Sequence, residues 1–259
     1  MSQRQMVRAD RTVSAIGLGT WQLGADWGDV SEADARAVLE ASADAGVTFY
    51  DTADVYGDGR SEQIIGAFLA DHANDGFFVA TKMGRRLGQV PANHDPSDGR
   101  PRLDRPRARP GVERLGVAQS HRPPRANLGV ERLDLVQLHC PPSATINDDA
   151  TYDALDALVA DGSIAAYGVS VETVDQALSA IARPGVASIQ IILNAFRLKP
   201  LEQVLPAAEQ AGVAIIARVP LASGLLTGRF TAETTLAPHD HRTHNRDGPA
   251  RELAEPFSG

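Results

Sequence analysis

The chain is poor in lysine, cysteine and long apolar runs. Of its 25 basic residues only Lys82 and Lys199 are lysine, a bias toward arginine that is typical of a GC-rich gene. The single cysteine, Cys140, excludes an internal disulfide framework and is consistent with a reducing compartment. No apolar run is long enough to cross a bilayer and no signal-peptide pattern opens the chain, so we expect a cytoplasmic protein with no membrane contact.

Excess positive charge is also lacking. The 259 residues carry 33 acidic and 25 basic side chains, which gives a formal net charge of -8. A surface that binds the phosphate backbone of DNA or RNA needs clustered positive charge. We therefore expect no nucleic-acid partner. The length suits one large domain or two small ones.

Short β-branched runs alternate with longer amphipathic segments rich in alanine and leucine. Strands are predicted at 15–19, 47–50, 77–81, 133–138, 166–170, 188–192 and 213–217. Helices are predicted at 31–46, 61–71, 149–161, 172–182 and 200–210. This alternation predicts right-handed βαβ crossovers and a parallel sheet that is buried on both faces.

Two architectures fit this alternation, the closed (β/α)8 barrel and the open doubly wound sheet. An open sheet that binds a dinucleotide predicts G-x-G-x-x-G after its first strand, but residues 17–22 lack the third glycine. The α/β fold class with a (β/α)8 TIM-type barrel is therefore preferred. Only seven strands are predicted and none follows Gly224, so we expect an incomplete barrel whose last β/α unit is missing.

Two segments depart from the alternation. Residues 95–125 are rich in arginine and proline, and their proline spacing excludes an amphipathic helix. They fit a basic arm for an anionic partner, a disordered loop, or a GC-rich gene read out of frame, and we favour the third explanation. We assign residues 1–230 to one barrel with the irregular insert 95–125, and residues 231–259 to a polar, poorly ordered tail.

The chemistry of a barrel lies at the C-terminal ends of its strands. Polar or titratable residues at those ends form one set: Gly19, Thr20, Trp21, Asp51 with Tyr56, Lys82, His139, Ser170, Gln190 and Arg218. An anion, a cation, a phenol and an imidazole together suit proton transfer to a carbonyl oxygen. Each of them taken singly also has an ordinary structural explanation, so their combination carries the prediction.

The charges of these side chains suggest a separate role for each. A free tyrosine has a pKa of about 10, and a lysine about 4 Å away contributes on the order of 4 kcal/mol at an effective dielectric near 20. Lys82 is therefore expected to lower the pKa of Tyr56. Asp51 would hold Lys82 charged and in place, and His139 would orient the carbonyl group or share the proton.

Several motifs, in this order, resemble the aldo-keto reductase family. They are Phe49-Tyr50-Asp51-Thr52-Ala53-Asp54-Val55-Tyr56-Gly57, Ser61-Glu62, Ala80-Thr81-Lys82, Leu133 to His139, and Arg218-Val219-Pro220-Leu221-Ala222-Ser223-Gly224. Residues 17–21 and 167–171 extend the resemblance, which covers roughly 6–90 and 125–230. It implies reduction of an aldehyde or ketone by hydride transfer from NADPH.

The resemblance also implies roles for individual residues. Asp51, Tyr56, Lys82 and His139 correspond to the catalytic tetrad, with Tyr56 as the general acid. Ser170 and Gln190 correspond to the residues that hold the nicotinamide carboxamide, and Gly19, Thr20 and Trp21 to the floor of the cofactor and substrate pocket. The cofactor site would also include Asp51 and the run Arg218, Val219, Pro220, Leu221, Ser223 and Gly224, whose loop embraces the pyrophosphate.

This chain departs from the family pattern at three places. Val171 replaces an asparagine that binds the carboxamide, and Arg218 replaces a tyrosine that stacks on the nicotinamide. Nothing after Gly228 resembles the residues that bind the adenosine 2′-phosphate, which leaves the choice between NADP and NAD open. The rival hypothesis is a truncated or defective relative that is inactive or only binds a ligand or cofactor.

The remaining motifs carry less chemistry. Cys140 beside His139 is interpreted as a packing residue, and the histidines at 239, 241 and 244 lie in a polar, proline-flanked segment, so we expect no metal site. A small-molecule carbonyl compound is the expected partner. The sequence identifies neither that compound nor the oligomeric state.

Overall fold

The structure is a computed structural model that describes residues 1–25, 29–73, 75–84, 124–231 and 234–235. The irregular insert predicted at 95–125 lies outside the described residues up to position 123. Most of the predicted tail at 231–259 lies outside them as well.

Parallel strands dominate the described part of the chain. A hairpin of β1 (Gln3–Met6) and β2 (Arg11–Ser14) precedes the main sheet. The main sheet contains β3 (Leu18–Gly19), β4 (Phe49–Asp51), β5 (Phe78–Met83), β6 (Leu133–His139), β7 (Ile164–Ser170), β8 (Val186–Ile192) and β9 (Ala214–Arg218). Its seven described strands are parallel and neighbour one another in chain order. This sequential order is that of a (β/α)8 barrel lacking one strand, as the sequence predicts.

Helices connect these strands. They are α1 (Glu32–Asp44), α2 (Arg60–Asp71), α3 (Pro124–Leu128), α4 (Ser143–Ile146), α5 (Asp149–Ala160), α6 (Val174–Ile181) and α7 (Val204–Ala211). The hydroxyl of Ser31 caps α1 by accepting the N–H of Asp34, and Thr173 and Gln176 form a capping box on α6. No described helix has the length and apolar character needed to cross a membrane.

The register of the sheet aligns the C-terminal ends of its strands. Gly19 lies opposite Asp51, His139 opposite Ser170, and Ser170 opposite Gln190. Because neighbouring parallel strands end at one level, their last side chains meet at one mouth of the barrel. Below this level the core is apolar and includes Tyr50, Leu135, Val169 and Ile189, each with less than 1% exposure.

Several local features differ from the sequence predictions. The hairpin at the N-terminus was not predicted, and the first strand is shortened from 15–19 to Leu18–Gly19. The helix predicted at 200–210 divides into a 3₁₀ turn at Lys199–Leu201 and α7, in which Pro206 occupies the first turn, where its missing N–H costs no hydrogen bond. At the end of the segment predicted to be irregular, Pro124 and Arg125 belong to α3.

Candidate active site

Lys82, which is buried, and Asp51, whose side chain is 16% exposed, form an ion pair at the barrel mouth. The side chain of Lys82 is 1% exposed, and its Nζ donates a hydrogen bond to Oδ1 of Asp51 at 2.5 Å. The same Nζ donates to the carbonyl oxygen of Thr52 at 2.8 Å. These acceptors fix the ammonium group, because a buried charge without partners would be strongly unfavourable.

The hydroxyl of Tyr56 is the third group that Lys82 contacts. Lys82 Nζ lies 3.3 Å from the Tyr56 hydroxyl and 5.0 Å from the centre of its ring. Tyr56 lies in the turn that follows β4, where its N–H donates to the carbonyl oxygen of Ala53. The ammonium group thus lies beside both the phenol oxygen and the carboxylate of Asp51.

Two aromatic rings flank Tyr56. Trp21 stacks on it with ring centres 5.8 Å apart and a 17° interplanar angle, and His139 meets it edge-on at 6.0 Å and 88°. The structure therefore brings all four tetrad residues together with Trp21, as the sequence predicts for their positions at the strand ends.

Asp51 is also held from the opposite side by two glutamine side chains. Its Oδ2 accepts hydrogen bonds from Gln190 Nε2 at 2.8 Å and Gln137 Nε2 at 3.3 Å. Ser170 Oγ in turn donates to Gln190 Oε1 at 3.4 Å. Gln190 therefore links Ser170 to Asp51, the partner of Lys82.

Hydrogen bonds from Thr20 and Ser61 hold the backbone and side chains at the end of β4. Both the N–H and the hydroxyl of Thr20 donate to the carbonyl oxygen of Asp51 at 2.9 Å. Thr52 Oγ1 donates to Ser61 Oγ at 3.0 Å, and Ser61 Oγ lies 2.9 Å from Thr20 Oγ1. Thr20 therefore acts on the backbone of Asp51. Gly19, by contrast, borders open space, because a Cβ built there would meet nothing within 4 Å.

Arg218 lies at the end of β9, and strand β8 separates it from Ser170 at the end of β7. Its Nη2 donates to the carbonyl oxygen of Val171 at 3.2 Å and lies 3.9 Å from Cys140 Sγ. Its Nε is buried and donates to no acceptor within the described ranges. The guanidinium group therefore has donor capacity that the described residues do not use.

The loop after Arg218 adopts an unusual backbone. Val219, Ala222, Ser223 and Gly224 have φ values of 54°, 49°, 56° and 97°. Left-handed conformations at residues other than glycine are strained. The N–H groups of Ala222 and Gly224 are already used, because they donate to the carbonyl oxygens of Val219 and Leu221 at 3.0 Å. Within this loop Pro220 and Leu221 are exposed.

Charge and burial act in opposite directions on the pKa values. Burial alone would lower the pKa of Lys82, but Asp51 and Tyr56 raise it above its usual value, so the ammonium stays charged. Burial raises the pKa of Tyr56, and Lys82 offsets this only in part. The expectation that Lys82 brings the phenol below its usual pKa is therefore wrong for the resting site, because desolvation of the phenolate outweighs the lysine charge.

Two further carboxyl groups are buried next to this cluster. Glu62 is fully buried and accepts hydrogen bonds from Thr81 Oγ1 at 2.6 Å and Asn127 Nδ2 at 2.8 Å. Asp54 is 5% exposed, and burial, with the charge of Glu62, raises its pKa to about 7. Sequence reasoning did not assign a role to either residue.

Gln137 is a further site residue that the sequence patterns did not identify. It lies two positions before His139 on β6, and residues two apart in a strand share a face. That spacing was the available signal. No group of three or more metal-binding side chains occurs in the described ranges, and the histidines at 239, 241 and 244 lie outside them.

Comparison with known proteins identifies a family. The model of the Aldo/keto reductase family matches residues 15–256. D-threo-aldose 1-dehydrogenase of Pseudomonas sp is 34% identical over 245 residues, which cover 84% of this chain and 69% of that protein. Aldo-keto reductase yakc [NADP(+)] of Schizosaccharomyces pombe is 29% identical over 239 residues, which cover 89% of this chain and 65% of that protein.

A solved structure agrees with the sequence relatives. The glycerol dehydrogenase AKR11B4 of Gluconobacter oxydans superposes with a TM-score of 0.73 at 32% identity, over 96% of this chain and 73% of the other. The chain spans about two thirds of the length of the curated relatives it matches, with values of 67% and 62% for two uncharacterized oxidoreductases, YqkF of Bacillus subtilis and Rv2298 of Mycobacterium tuberculosis.

Proposed function

Because the chain belongs to the aldo/keto reductase family, we propose that it is an oxidoreductase that reduces an aldehyde or ketone to an alcohol with NADPH. The observation that carries the proposal is the contact of the Tyr56 hydroxyl with Lys82, which is itself paired with Asp51. In this arrangement Tyr56 is the general acid. Asp51, Tyr56, Lys82 and His139 are the residues we assign to proton transfer.

The residues at the barrel mouth fit the nicotinamide end of NADP(H). Arg218 has a buried N–H that donates to no acceptor in the described ranges, and Gly19 borders open space. When bound, NADPH supplies the hydride. Ser170, Gln190 and Arg218 would hold the nicotinamide end, Thr20 and Trp21 the pocket floor, and Val219, Pro220, Leu221, Ser223 and Gly224 the pyrophosphate. A relative whose name includes NADP(+) supports this choice of cofactor.

The raised pKa of Tyr56 is compatible with its role as an acid. A phenol with a raised pKa keeps its proton at neutral pH, so the donor is in the required state before reaction. As negative charge develops on the substrate oxygen, the phenol loses its proton to that oxygen, and the nearby ammonium of Lys82 stabilises the phenolate that forms. Asp51 keeps Lys82 at this position.

His139 and Trp21 define where a carbonyl group would lie. His139 is edge-on to the Tyr56 ring and Trp21 is stacked on it, so the two rings border the phenol. We assign to His139 the orientation of the carbonyl oxygen toward the Tyr56 hydroxyl. The names of two relatives, an aldose dehydrogenase and a glycerol dehydrogenase, make small polyhydroxylated compounds the first substrates to test.

A second candidate is a relative that binds the cofactor or another ligand without turnover. The seven-stranded extent of the described parallel sheet favours it, because strand β9 has a neighbour on one side only within the described ranges. A barrel that does not close leaves the mouth less rigid, and rigidity is what holds reacting groups in place.

The two candidates separate in one experiment. NADPH is titrated into the purified protein while tryptophan fluorescence is followed, and NADPH oxidation is then measured with an aldose, glyceraldehyde and a simple aromatic aldehyde. Saturable quenching with turnover supports the reductase, and quenching without turnover supports the second candidate. No quenching and no turnover would refute the reductase and also a relative that binds NADPH without turnover.

Variants then test the acid. Tyr56→Phe should lower turnover by roughly 100-fold or more. It should leave the quenching of tryptophan fluorescence by NADPH nearly unchanged. Tyr152→Phe is the matched control, because the buried Tyr152 hydroxyl has no hydrogen-bond partner within the described ranges. It should retain full activity. Equal turnover of Tyr56→Phe and the control would exclude Tyr56 as the acid.

A further inference from the structure

The first turn of α2 carries two fully buried polar residues, Ser61 and Glu62, that have no role in the proposed chemistry. The helix begins after Gly59, which has no side chain to cap it. The hydroxyl of Ser61 does not take over this function, because its hydrogen bonds go to residues outside the helix. Buried polar groups are held by specific partners, so the partners indicate what this turn does.

Ser61 bonds to three segments around the end of β4. Its Oγ accepts a hydrogen bond from Thr52 Oγ1 at 3.0 Å. The same Oγ lies 3.0 Å from the carbonyl oxygen and 2.9 Å from the hydroxyl of Thr20, and it donates to this residue. The N–H of Ser61 donates to the carbonyl oxygen of Tyr56 at 3.3 Å. Ser61 thus joins the strand end, the pocket floor and the backbone of the proposed acid.

Two of these partners bond directly to the residues assigned to proton transfer. The carbonyl oxygen of Thr52 accepts from Lys82 Nζ at 2.8 Å. The hydroxyl of Thr20 donates to the carbonyl oxygen of Asp51 at 2.9 Å. A displacement of either partner therefore moves a group that holds the ion pair.

Glu62 reaches the neighbouring strand. Its Oε1 accepts from Thr81 Oγ1 at 2.6 Å, and its Oε2 accepts from Asn127 Nδ2 at 2.8 Å. Thr81 directly precedes Lys82 on β5, and consecutive side chains of a strand point to opposite faces. Consecutive residues of α2 are therefore bonded to the two strands that carry Asp51 and Lys82.

We propose that Ser61 is a positioning residue that, with Glu62 beside it, holds the Tyr56 hydroxyl within reach of Lys82. The inference rests on the proposed role of Tyr56 as general acid. The Tyr56 hydroxyl lies 3.3 Å from Lys82 Nζ. A further separation of a few tenths of an ångström would end this hydrogen bond.

Removal of the Ser61 hydroxyl disturbs this geometry for a physical reason. In Ser61→Ala, the hydroxyl of Thr52 loses its acceptor in a fully buried position. A buried donor without an acceptor is unfavourable, so the turn shifts until Thr52 finds another partner. Because the carbonyl oxygen of Thr52 binds Lys82, the shift changes the distance between the ammonium group and Tyr56.

The first test reads the Tyr56 hydroxyl without turnover. The chain has four tyrosines, so a protein labelled with ¹³C at the tyrosine Cζ gives a simple spectrum, and the signal that Tyr56→Phe lacks belongs to Tyr56. Ser61→Ala should shift this signal, because the shift of Cζ responds to hydrogen bonding of the hydroxyl. The signals of Tyr152 and Tyr167, whose rings pack near each other, should stay in place.

Two further variants complete this test. Thr52→Val keeps the shape of the side chain and removes its hydrogen bond to Ser61, so it should also shift the Tyr56 signal. Ser188→Ala is the matched control, because it removes a fully buried hydroxyl that has no hydrogen-bond partner within the described ranges. It should leave the Tyr56 signal and turnover unchanged.

Turnover gives a second readout. Ser61→Ala should lower kcat by roughly 10-fold, since a misplacement of about 1 Å costs on the order of 100-fold. The same substitution in a protein that carries Tyr56→Phe should cause no further loss of the residual rate, because no phenol remains to be positioned. A purely structural role would lower the rate in both backgrounds.

The outcomes separate this inference from the proposed function. An unchanged Tyr56 signal in both Ser61→Ala and Thr52→Val overturns the inference, whatever the activity. An equal loss of rate from Ser61→Ala with and without the Tyr56 hydroxyl overturns it as well. If Ser61→Ala does not fold, Thr52→Val decides in the same two measurements. Absence of turnover in the wild type and in Ser188→Ala refutes the proposed function, and the tyrosine spectrum then decides the inference alone.

Discussion

Gln190 Nε2 donates a hydrogen bond to Asp51 Oδ2 at 2.8 Å and joins two residues 139 positions apart in the chain. Through its other amide atom, Gln190 accepts a hydrogen bond from Ser170. The carboxylate that holds Lys82 is thus connected directly to a side chain assigned to the nicotinamide. Because one amide serves both groups, we expect cofactor binding and the position of Asp51 to be linked.

The two glutamines that hold Asp51 allow this link to be tested. Gln190→Leu and Gln137→Leu each remove one donor from Asp51 Oδ2. We expect each to lower kcat by roughly 10- to 100-fold, since a hydrogen bond to a charged group contributes about 1.5–3 kcal/mol. Only Gln190→Leu should also weaken NADPH binding, because Gln137 does not contact Ser170. Fluorescence titration and steady-state kinetics measure both effects. An equal loss of NADPH affinity in the two variants would contradict the link.

Lys82 should be essential to both stability and activity. Lys82→Met removes the cation from a pair in which the side chain of Asp51 is 16% exposed, and breaking such a pair costs about 3–5 kcal/mol. Denaturant unfolding would measure the loss of unfolding free energy, and NADPH oxidation the loss of turnover.

The other lysine provides the control. Lys199 is exposed, so Lys199→Met should leave both the unfolding midpoint and turnover unchanged. A similar loss of stability in the two variants would show that the ion pair is not the reason for the effect at Lys82.

The buried carboxyl of Asp54 predicts a pH-dependent stability. Its pKa is raised from an ordinary value of 3.8 to about 7 in the folded protein. Below the ordinary value both states are protonated and the group has no effect. Between these values the folded state binds more protons than the unfolded state, so stability falls as pH rises, and the full penalty applies above pH of about 7.

Asp54→Asn should remove that penalty. At about pH 8.5 the variant is expected to be more stable than the wild type, by at most about 4 kcal/mol, and at about pH 4 the difference should be small. Urea unfolding of both proteins at the two pH values measures it, with Asp58→Asn as the exposed control. A difference that is the same at both pH values would count against a raised pKa.

Substitution of Gly57 and of Gly19 by alanine should affect thermal stability differently. Gly57 has a φ of 59°, and a Cβ there would lie 2.2 Å from the carbonyl oxygen of Gly24, so Gly57→Ala must displace the backbone next to Tyr56. A Cβ at Gly19 would contact nothing within 4 Å. We expect Gly57→Ala to lower the thermal midpoint strongly and Gly19→Ala to leave it unchanged while weakening NADPH binding. Unchanged NADPH affinity in Gly19→Ala would remove Gly19 from the cofactor site.

The sequence by itself determined the order of strands and helices and the level at which the tetrad lies. Strand periodicity and capping residues such as Ser31 act over a few neighbours, and parallel strands that end together bring Asp51, Lys82 and His139 to one mouth. The strand ends at Asp51, Lys82 and His139, with Tyr56 in the turn after Asp51, therefore sufficed to predict that these four side chains assemble.

Only the tertiary structure decided how those residues are held and charged. Gln137 and Gln190 meet at Asp51 because strands distant in the chain are brought together, and no local pattern specifies that hydrogen bond. The pKa of Tyr56 rises although Lys82 is adjacent, and Asp54 is buried beside Lys82, because desolvation depends on everything packed around a group. Local pattern determines which side chains reach the mouth, whereas long-range packing determines which of them hold a proton.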